Sequence, residues 1–208
     1  MVCQIGALVD DTLIHAPLAH WAQTRAEVVA LDDGHTQLTF AALHAAVAQE
    51  VLALQQRQAP ATVFVDDTCS TLAQMVSFLG IVASGRCAAV TDADWPAAVR
   101  QRVQAAFAQE AASPLAPTPH TPFYIGFTSG STGMPKGFRR HHQSWTESLR
   151  VCLDTFGADA ATCVLAPGRF SHSLFLFGMM LGLWSGAGVV LQERFSASRM
   201  IDTLQQGR

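Results

Sequence analysis

The strongest constraint on the fold is a run of eighteen uncharged residues at 174–191. Its length reaches the lower limit for a helix that spans a membrane. However, two glycines interrupt the run within the segment 185–188, and no basic loop flanks either end. We therefore predict a buried helix over 174–184, a turn, and a short strand over 189–191, with no transmembrane span.

Helical and extended apolar patterns alternate along the chain before this run. Three segments carry apolar residues at helical spacing: 39–57, a helix that Ser70 caps, and a helix that starts at 94–96. Four short apolar segments have the composition of strands: 62–65, 87–90, 123–128 and 162–167. Strands of this kind are usually buried on both faces of a sheet. The sequence thus predicts an α/β fold in which helices flank a largely parallel sheet.

Two further local signals lie in the middle of the chain. The segment 112–122 contains four prolines, which disfavour both helix and strand and suit an exposed connector. This connector either runs across the surface of one domain, which we favour, or marks a boundary between two domains. A capping-box pattern at 144–147 predicts a helix that begins near Trp145.

Composition limits the partners and the compartment. The formal net charge is −3 and only 14% of the residues are charged, so nothing in the overall balance indicates nucleic-acid binding. The five cysteines are scattered without a zinc-binding spacing, and the first residues carry no basic segment before an apolar run. We therefore expect a cytoplasmic protein with reduced cysteines and no nucleic-acid partner.

The segment 126–137 overlaps the end of a predicted strand and combines four glycines, four hydroxyl side chains and Lys136. Glycines let backbone N–H groups approach an anion, hydroxyls add donors, and the lysine adds a mobile positive charge. These are the properties of a polyphosphate-binding loop. The spacing matches neither the Walker A loop nor the dinucleotide-binding fingerprint. The alternative is a flexible glycine/serine linker, against which the Pro135–Lys136 pair within an apolar α/β pattern argues.

The ten residues 128–137, TSGSTGMPKG, resemble without a mismatch the signature of the adenylate-forming superfamily. That superfamily includes acyl-CoA synthetases, luciferases and the adenylation domains of peptide synthetases. The segments 30–54, 78–96 and 166–191 are similar to further parts of the same enzymes. The resemblance implies that residues 1–208 form an incomplete part of the large N-terminal domain of an AMP-binding ligase.

The resemblance also implies a reaction and its cofactors. A carboxylate attacks the α-phosphorus of ATP to give an acyl-adenylate and pyrophosphate, and the acyl group then passes to a thiol, commonly that of coenzyme A. Donors held ready for the charge on the departing pyrophosphate would lower the barrier. The resemblance makes Lys136 and Thr128 catalytic residues, with Thr128 also near Mg²⁺. Six residues would hold the β- and γ-phosphates of ATP: Ser129, Gly130, Ser131, Thr132, Gly133 and Lys136.

The acyl site is less firmly indicated. His172 matches the histidine or aromatic position that lines the acyl pocket, although an ordinary histidine at a strand end would look the same. The aromatic residues Phe170, Phe175 and Phe177 are either pocket walls or core, and we expect at least one to be core. An amino-acid-activating domain would carry a pocket aspartate, and 168–178 offers none. This favours a carboxylic or fatty acid as substrate and leaves amino-acid activation as an alternative.

Several parts of the family's complete enzymes do not occur in the 208 residues. We find no Tyr-Gly-x-Thr-Glu segment, no ribose-binding aspartate motif and no small C-terminal domain with its catalytic lysine. We therefore expect these residues to be part of a longer ligase that uses coenzyme A or a carrier-protein thiol as the acyl acceptor. We do not expect them to catalyse the reaction alone. A homodimer is a further expectation. A noncatalytic nucleotide- or polyphosphate-binding module is the alternative from another functional class.

Overall fold

The computed structural model describes residues 11–107, 116–128, 134–157 and 163–206. Helices and strands alternate along it as the apolar patterns predict. The elements are α1 (Pro17–Thr24), β1 (Val29–Asp32), β2 (Gln37–Thr39), α2 (Phe40–Gln56), β3 (Thr62–Phe64), α3 (Thr71–Ala83), β4 (Cys87–Ala89), α4 (Ala97–Ala105), β5 (Pro122–Thr128), β6 (Lys136–His141), α5 (His142–Phe156), β7 (Val164–Ala166), α6 (Ser173–Ser185), β8 (Val189–Leu191) and α7 (Ala197–Gln205).

The strands form two sheets of four strands each. The first sheet has the order β2-β1-β8-β7 and the second has the order β3-β4-β5-β6. In each sheet three strands are parallel, and one edge strand, β2 or β6, is antiparallel to its neighbour. The predicted α/β fold with largely parallel strands and flanking helices is confirmed. The division into two sheets was not indicated by the sequence.

The uncharged run folds as predicted. It forms the buried helix α6, a turn at Gly186 in the left-handed conformation, and the short strand β8. Within the residues that the structure describes, every helix is too short or too polar to cross a bilayer. Ser70 also caps α3 as predicted, since its hydroxyl accepts a hydrogen bond from the N–H of Ala73.

The predicted start of α5 is wrong by three residues. The helix begins at His142 and not near Trp145. The imidazole of His141 takes the cap position, where its Nδ1 accepts a hydrogen bond from the Ser144 N–H at 3.3 Å. The Ser144 hydroxyl instead donates to the His141 carbonyl at 2.7 Å. The capping box failed as a signal because a histidine, which is not among the usual capping residues, precedes it.

The proline-rich connector is described only in part. Residues 112–115 lie outside the described residues, 116–121 form no helix or strand, and Pro122 already belongs to β5. Whether the connector crosses one domain or divides two stays a prediction.

One aromatic cluster joins the two sheets. Phe78 on α3 contacts Phe123 and Tyr124 of β5 with ring centroids about 6 Å apart, and contacts Phe170, which follows β7, at 5.8 Å. All four rings are buried in the same hydrophobic core. Because this contact lies where β7 ends, the core fixes the carboxyl end of the first sheet against the second.

A buried histidine ties the segment before α1 to this core. His142 is 1% exposed and stacks on Phe123, and its Nδ1 accepts a hydrogen bond from the Ile14 N–H at 3.1 Å. Burial, with smaller contributions from the neighbouring His15 and His141, lowers the pKa of His142 from 6.5 to about 3. The side chain is therefore neutral near pH 7, as an acceptor of a backbone hydrogen bond must be.

Candidate functional site

The glycine-rich loop connects two antiparallel strands. Thr128 ends β5, Lys136 begins β6, and the two residues pair in the hairpin. The Thr128 hydroxyl donates to the Lys136 carbonyl at 3.4 Å. The sequence analysis predicted no strand between 128 and the helix near Trp145, whereas β6 lies there and α5 follows it. The predicted phosphate-binding residues Ser129, Gly130, Ser131, Thr132 and Gly133 lie outside the described residues.

The sequence of β5 explains why the hairpin sits firmly on the core. Phe123, Tyr124 and Ile125 are each no more than 1% exposed. A Cβ at Gly126 would collide with the Tyr124 and Phe138 side chains, so this glycine permits close aromatic packing. The strand therefore provides a rigid base from which Thr128 and Lys136, both exposed, reach solvent.

A cavity of about 430 Å³ lies beside the ends of the loop. Thr128 and Pro135 line it from the hairpin, and Ser171, His172 and Ser173 line it from the turn that follows β7. The structure therefore brings two predicted site residues, Thr128 and His172, to one cavity from segments more than forty positions apart. Lys136 is not among the residues that line it, although its carbonyl bonds to Thr128.

Asp92 and Trp95 are among the cavity residues that the sequence analysis did not identify. They reach the cavity from the segment between β4 and α4. Trp95 packs edge-on against Phe127, with ring centroids 5.2 Å apart. An acidic residue just after a parallel strand could have indicated Asp92, since ligand sites in such sheets lie at the carboxyl ends of the strands. No local pattern indicated Trp95.

Asp92 is held by three groups. Its Oδ2 accepts a hydrogen bond from the Ser171 hydroxyl at 2.8 Å, and its Oδ1 accepts from the Asp94 N–H at 2.9 Å and from the Arg169 guanidinium at 3.3 Å. Arg169 also pairs with Asp94. Burial alone would raise the pKa of Asp92, but these hydrogen bonds and the positive charge of Arg169 outweigh it and lower the pKa below its ordinary value. Asp92 is therefore a carboxylate at neutral pH.

The remaining predicted pocket and loop residues divide between core and surface. Phe170 is 3% exposed and belongs to the core, as expected of at least one of the three phenylalanines. Phe175 and Phe177 are partly buried against the same core. Arg139 and Arg140 are exposed on β6, whereas His142, at the start of α5, is buried.

The described residues do not supply a complete set of ligands for the expected magnesium ion. No group of three or more histidine, cysteine or acidic side chains that could hold a metal ion occurs there. The Thr128 hydroxyl and the Asp92 carboxylate supply oxygen atoms to the same cavity, which is the ligand chemistry that Mg²⁺ prefers. The fit is therefore partial, and Thr128 as a magnesium contact stays a prediction.

Comparison with known proteins gives consistent results. Residues 49–208 match the AMP-binding enzyme family. An uncharacterized acyl-CoA ligase of Bacillus subtilis (strain 168), YhfT, is 41% identical over 112 residues, which cover 53% of this chain and 23% of that protein. The pyochelin synthetase PchE of Pseudomonas aeruginosa (strain UCBPP-PA14) is 35% identical over 118 residues, which cover 55% of this chain and 8% of that protein.

The fold resembles solved adenylate-forming enzymes. The o-succinylbenzoate CoA synthetase MenE from Bacillus subtilis, solved with its acyl-adenylate intermediate, superposes with a TM-score of 0.75 at 18% identity. The superposition covers 96% of this chain and 60% of MenE. Because the matched part of YhfT is about a quarter of that protein, the present chain spans only part of the length of its relatives.

Proposed function

This chain belongs to the AMP-binding enzyme family, and from that premise we propose that it takes part in the ATP-dependent activation of a carboxylic acid. A carboxylate would displace pyrophosphate from ATP to form an acyl-adenylate, and a thiol, that of coenzyme A or of a carrier protein, would then accept the acyl group. The observation that carries the proposal is the cavity that Thr128 and Pro135 of the β5–β6 hairpin line together with His172 of the turn after β7. The acyl-CoA ligase among its relatives supports it.

The chain's own residues would have distinct roles in the first step. Lys136 and the residues 129–133 would hold the β- and γ-phosphates, and Thr128 would face the bound nucleotide at the cavity. A magnesium ion, when bound, would neutralise phosphate charge. His172 would border the carboxylate. Hydrogen-bond donors that are already in place need no reorganisation when pyrophosphate departs, which is how such a site would lower the barrier.

The substrate we favour is a simple carboxylic or fatty acid, in a cytoplasm that supplies ATP and coenzyme A. Amino-acid activation is the second candidate, because the structure brings the carboxylate of Asp92 into the cavity wall. Both oxygens of Asp92 already accept hydrogen bonds, from Ser171 and Arg169 among others. A substrate ammonium group would have to compete with these partners, which supports the simple acid.

Replacing Lys136 with alanine is expected to weaken ATP binding by about 10- to 100-fold, the range of a lost hydrogen bond to a charged group. AMP binding should change by less than about twofold, because AMP lacks the two phosphates that Lys136 would hold. Isothermal titration of both nucleotides, with magnesium present for ATP, measures the difference.

The matched control is Arg102→Ala, which removes an exposed positive charge from the last turn of α4. It should leave both affinities unchanged. Equal losses of affinity for ATP and AMP in the Lys136→Ala variant would contradict a role of Lys136 in holding the β- and γ-phosphates. Binding of ATP with no carboxylate-dependent ATP–pyrophosphate exchange in the full-length protein would instead favour a noncatalytic nucleotide-binding module.

A further inference from the structure

Both neighbours of His172 in the sequence are hydrogen-bonded to the segments of the second sheet. On one side the Ser171 hydroxyl donates to Asp92 Oδ2 at 2.8 Å, just beyond β4. On the other side the hydroxyls of Ser173 and Tyr124 lie 3.0 Å apart, with Tyr124 in the middle of β5. The backbone of His172 is therefore fixed from both sides, although its own side chain is exposed.

The His172 side chain has little support of its own within the described chain. It precedes α6 without capping that helix, and its ring contacts Phe175 edge-on with centroids 6.1 Å apart. The position of the imidazole therefore depends on the backbone of His172, which the two flanking serines hold. Of their two partners, only Asp92 is charged, and hydrogen bonds to charged groups are about twice as strong as neutral ones.

Arg169 strengthens the same attachment. Its guanidinium pairs with Asp92 at 3.3 Å and also with Asp94, so the first and third residues of the turn 169–171 both reach the segment after β4. Arg169 and Asp92 are 34% and 21% exposed, so water screens their pairing only in part. The turn follows β7 of the first sheet, and Asp92 follows β4 of the second sheet. The contact therefore joins the two walls of the cavity.

We propose that Asp92 is a positioning residue, which holds the 169–173 turn through Ser171 and Arg169 and thereby sets the place of His172 opposite Thr128. The proposal rests on the proposed function for its consequence, namely that the position of His172 decides how well the carboxylate end of the substrate is bound. Its structural content, the dependence of His172 on Asp92, is testable by itself.

The test is ¹³C–¹H NMR of the chain with labelled histidine, in the wild type and in the variants Asp92→Ala, Asp92→Asn and Ser171→Ala. The wild-type ring of His172 should give one sharp signal. In Asp92→Ala and Ser171→Ala it should shift or broaden, while Asp92→Asn, which retains an oxygen acceptor for Ser171, should restore much of the wild-type signal. His142, which is buried in the core, is the internal reference for an intact fold.

Two results would overturn the proposal. An unchanged His172 signal in Asp92→Ala would mean that the turn holds its place without Asp92. Equal changes at His172 and His142 would mean that Asp92 supports the whole fold and has no local role. Ser171→Ala removes only one hydroxyl, so it provides the same test if Asp92→Ala fails to fold.

A binding measurement on the full-length protein separates this proposal from the proposed function. Asp92→Ala should weaken binding of a nonhydrolysable acyl-adenylate mimic by about tenfold, and binding of AMP by less than about twofold. If wild-type protein binds neither ligand, the proposed function fails while the NMR result still decides the role of Asp92. If the wild type binds both ligands, and Asp92→Ala loses affinity equally for the acyl-adenylate mimic and for AMP, the positioning role is wrong.

Discussion

Replacing Gly188 with alanine is expected to destabilise the fold by about 3 kcal/mol. Gly188 is buried at a φ of +86°, and a Cβ there would overlap the carbonyl oxygen of Val29. A left-handed conformation costs an alanine roughly 1–2 kcal/mol, and overpacking against backbone costs a further 1–3 kcal/mol. Urea unfolding followed by circular dichroism measures the change in the free energy of unfolding.

The position matters because three elements meet at Gly188. Its N–H donates to the Gly182 carbonyl of α6 at 3.0 Å, and its own carbonyl accepts from the Val164 N–H at the start of β7 at 3.0 Å. The residue after it, Val189, pairs with Leu31 of β1. A side chain at position 188 would therefore separate β8 from its neighbours in the first sheet.

Gly178→Ala provides the matched control within the same uncharged run. Gly178 lies inside α6, and a Cβ there would meet no atom within 4 Å. Alanine is favoured over glycine in a helix interior by about 0.5–1 kcal/mol, so this variant should be slightly more stable than the wild type. Similar destabilisation by both substitutions would show that the run does not fold as described.

Acidification from pH 7 to pH 5 is expected to remove about 2 kcal/mol of stability through His142 alone. Burial lowers the pKa of His142 from 6.5 to about 3. Between these values the unfolded chain binds a proton that the folded chain excludes. The free energy of unfolding therefore falls as the pH drops below 6.5, and this contribution stops changing below about pH 3. Urea unfolding at a series of pH values measures it.

The informative variant is His142→Asn. Its amide oxygen can accept the Ile14 N–H, but it does not titrate and it loses ring packing on Phe123. We expect lower stability at pH 8 and a decline between pH 7 and pH 5 that is smaller than the wild type's by about 2 kcal/mol. Parallel pH profiles of wild type and His142→Asn would contradict the assignment.

The features predicted best depend on residues a few positions apart. The helix α6, its turn and β8 follow from an apolar run and its glycines, and the cap of α3 follows from Ser70. The predicted start of α5 was wrong because the side chain of His141 competed successfully for the cap. Short-range signals fail where a side chain outside the usual capping residues can cap the helix one turn earlier.

The candidate site shows the opposite case. Residues 128–137 could be interpreted alone, because the family signature that they match is contiguous in sequence. Asp92 could not, since the residues that give it a role, Arg169 and Ser171, follow it by 77 and 79 positions. No periodicity or spacing connects positions so far apart. The absence of an acid from 168–178 was correct, yet an acid from another segment lines the cavity.

The sequence by itself determined the fold class and the family, and it is the basis of the chemistry proposed for the loop, because each depends on contiguous residues whose types restrict the backbone or supply donors. Only the tertiary structure decided that the strands divide into two sheets, that His142 is buried and neutral, and that Asp92 accepts hydrogen bonds from Ser171 and Arg169. These features depend on the packing of distant segments around Phe78, Phe123 and Phe170. The contacts that create them exist only once the chain has folded.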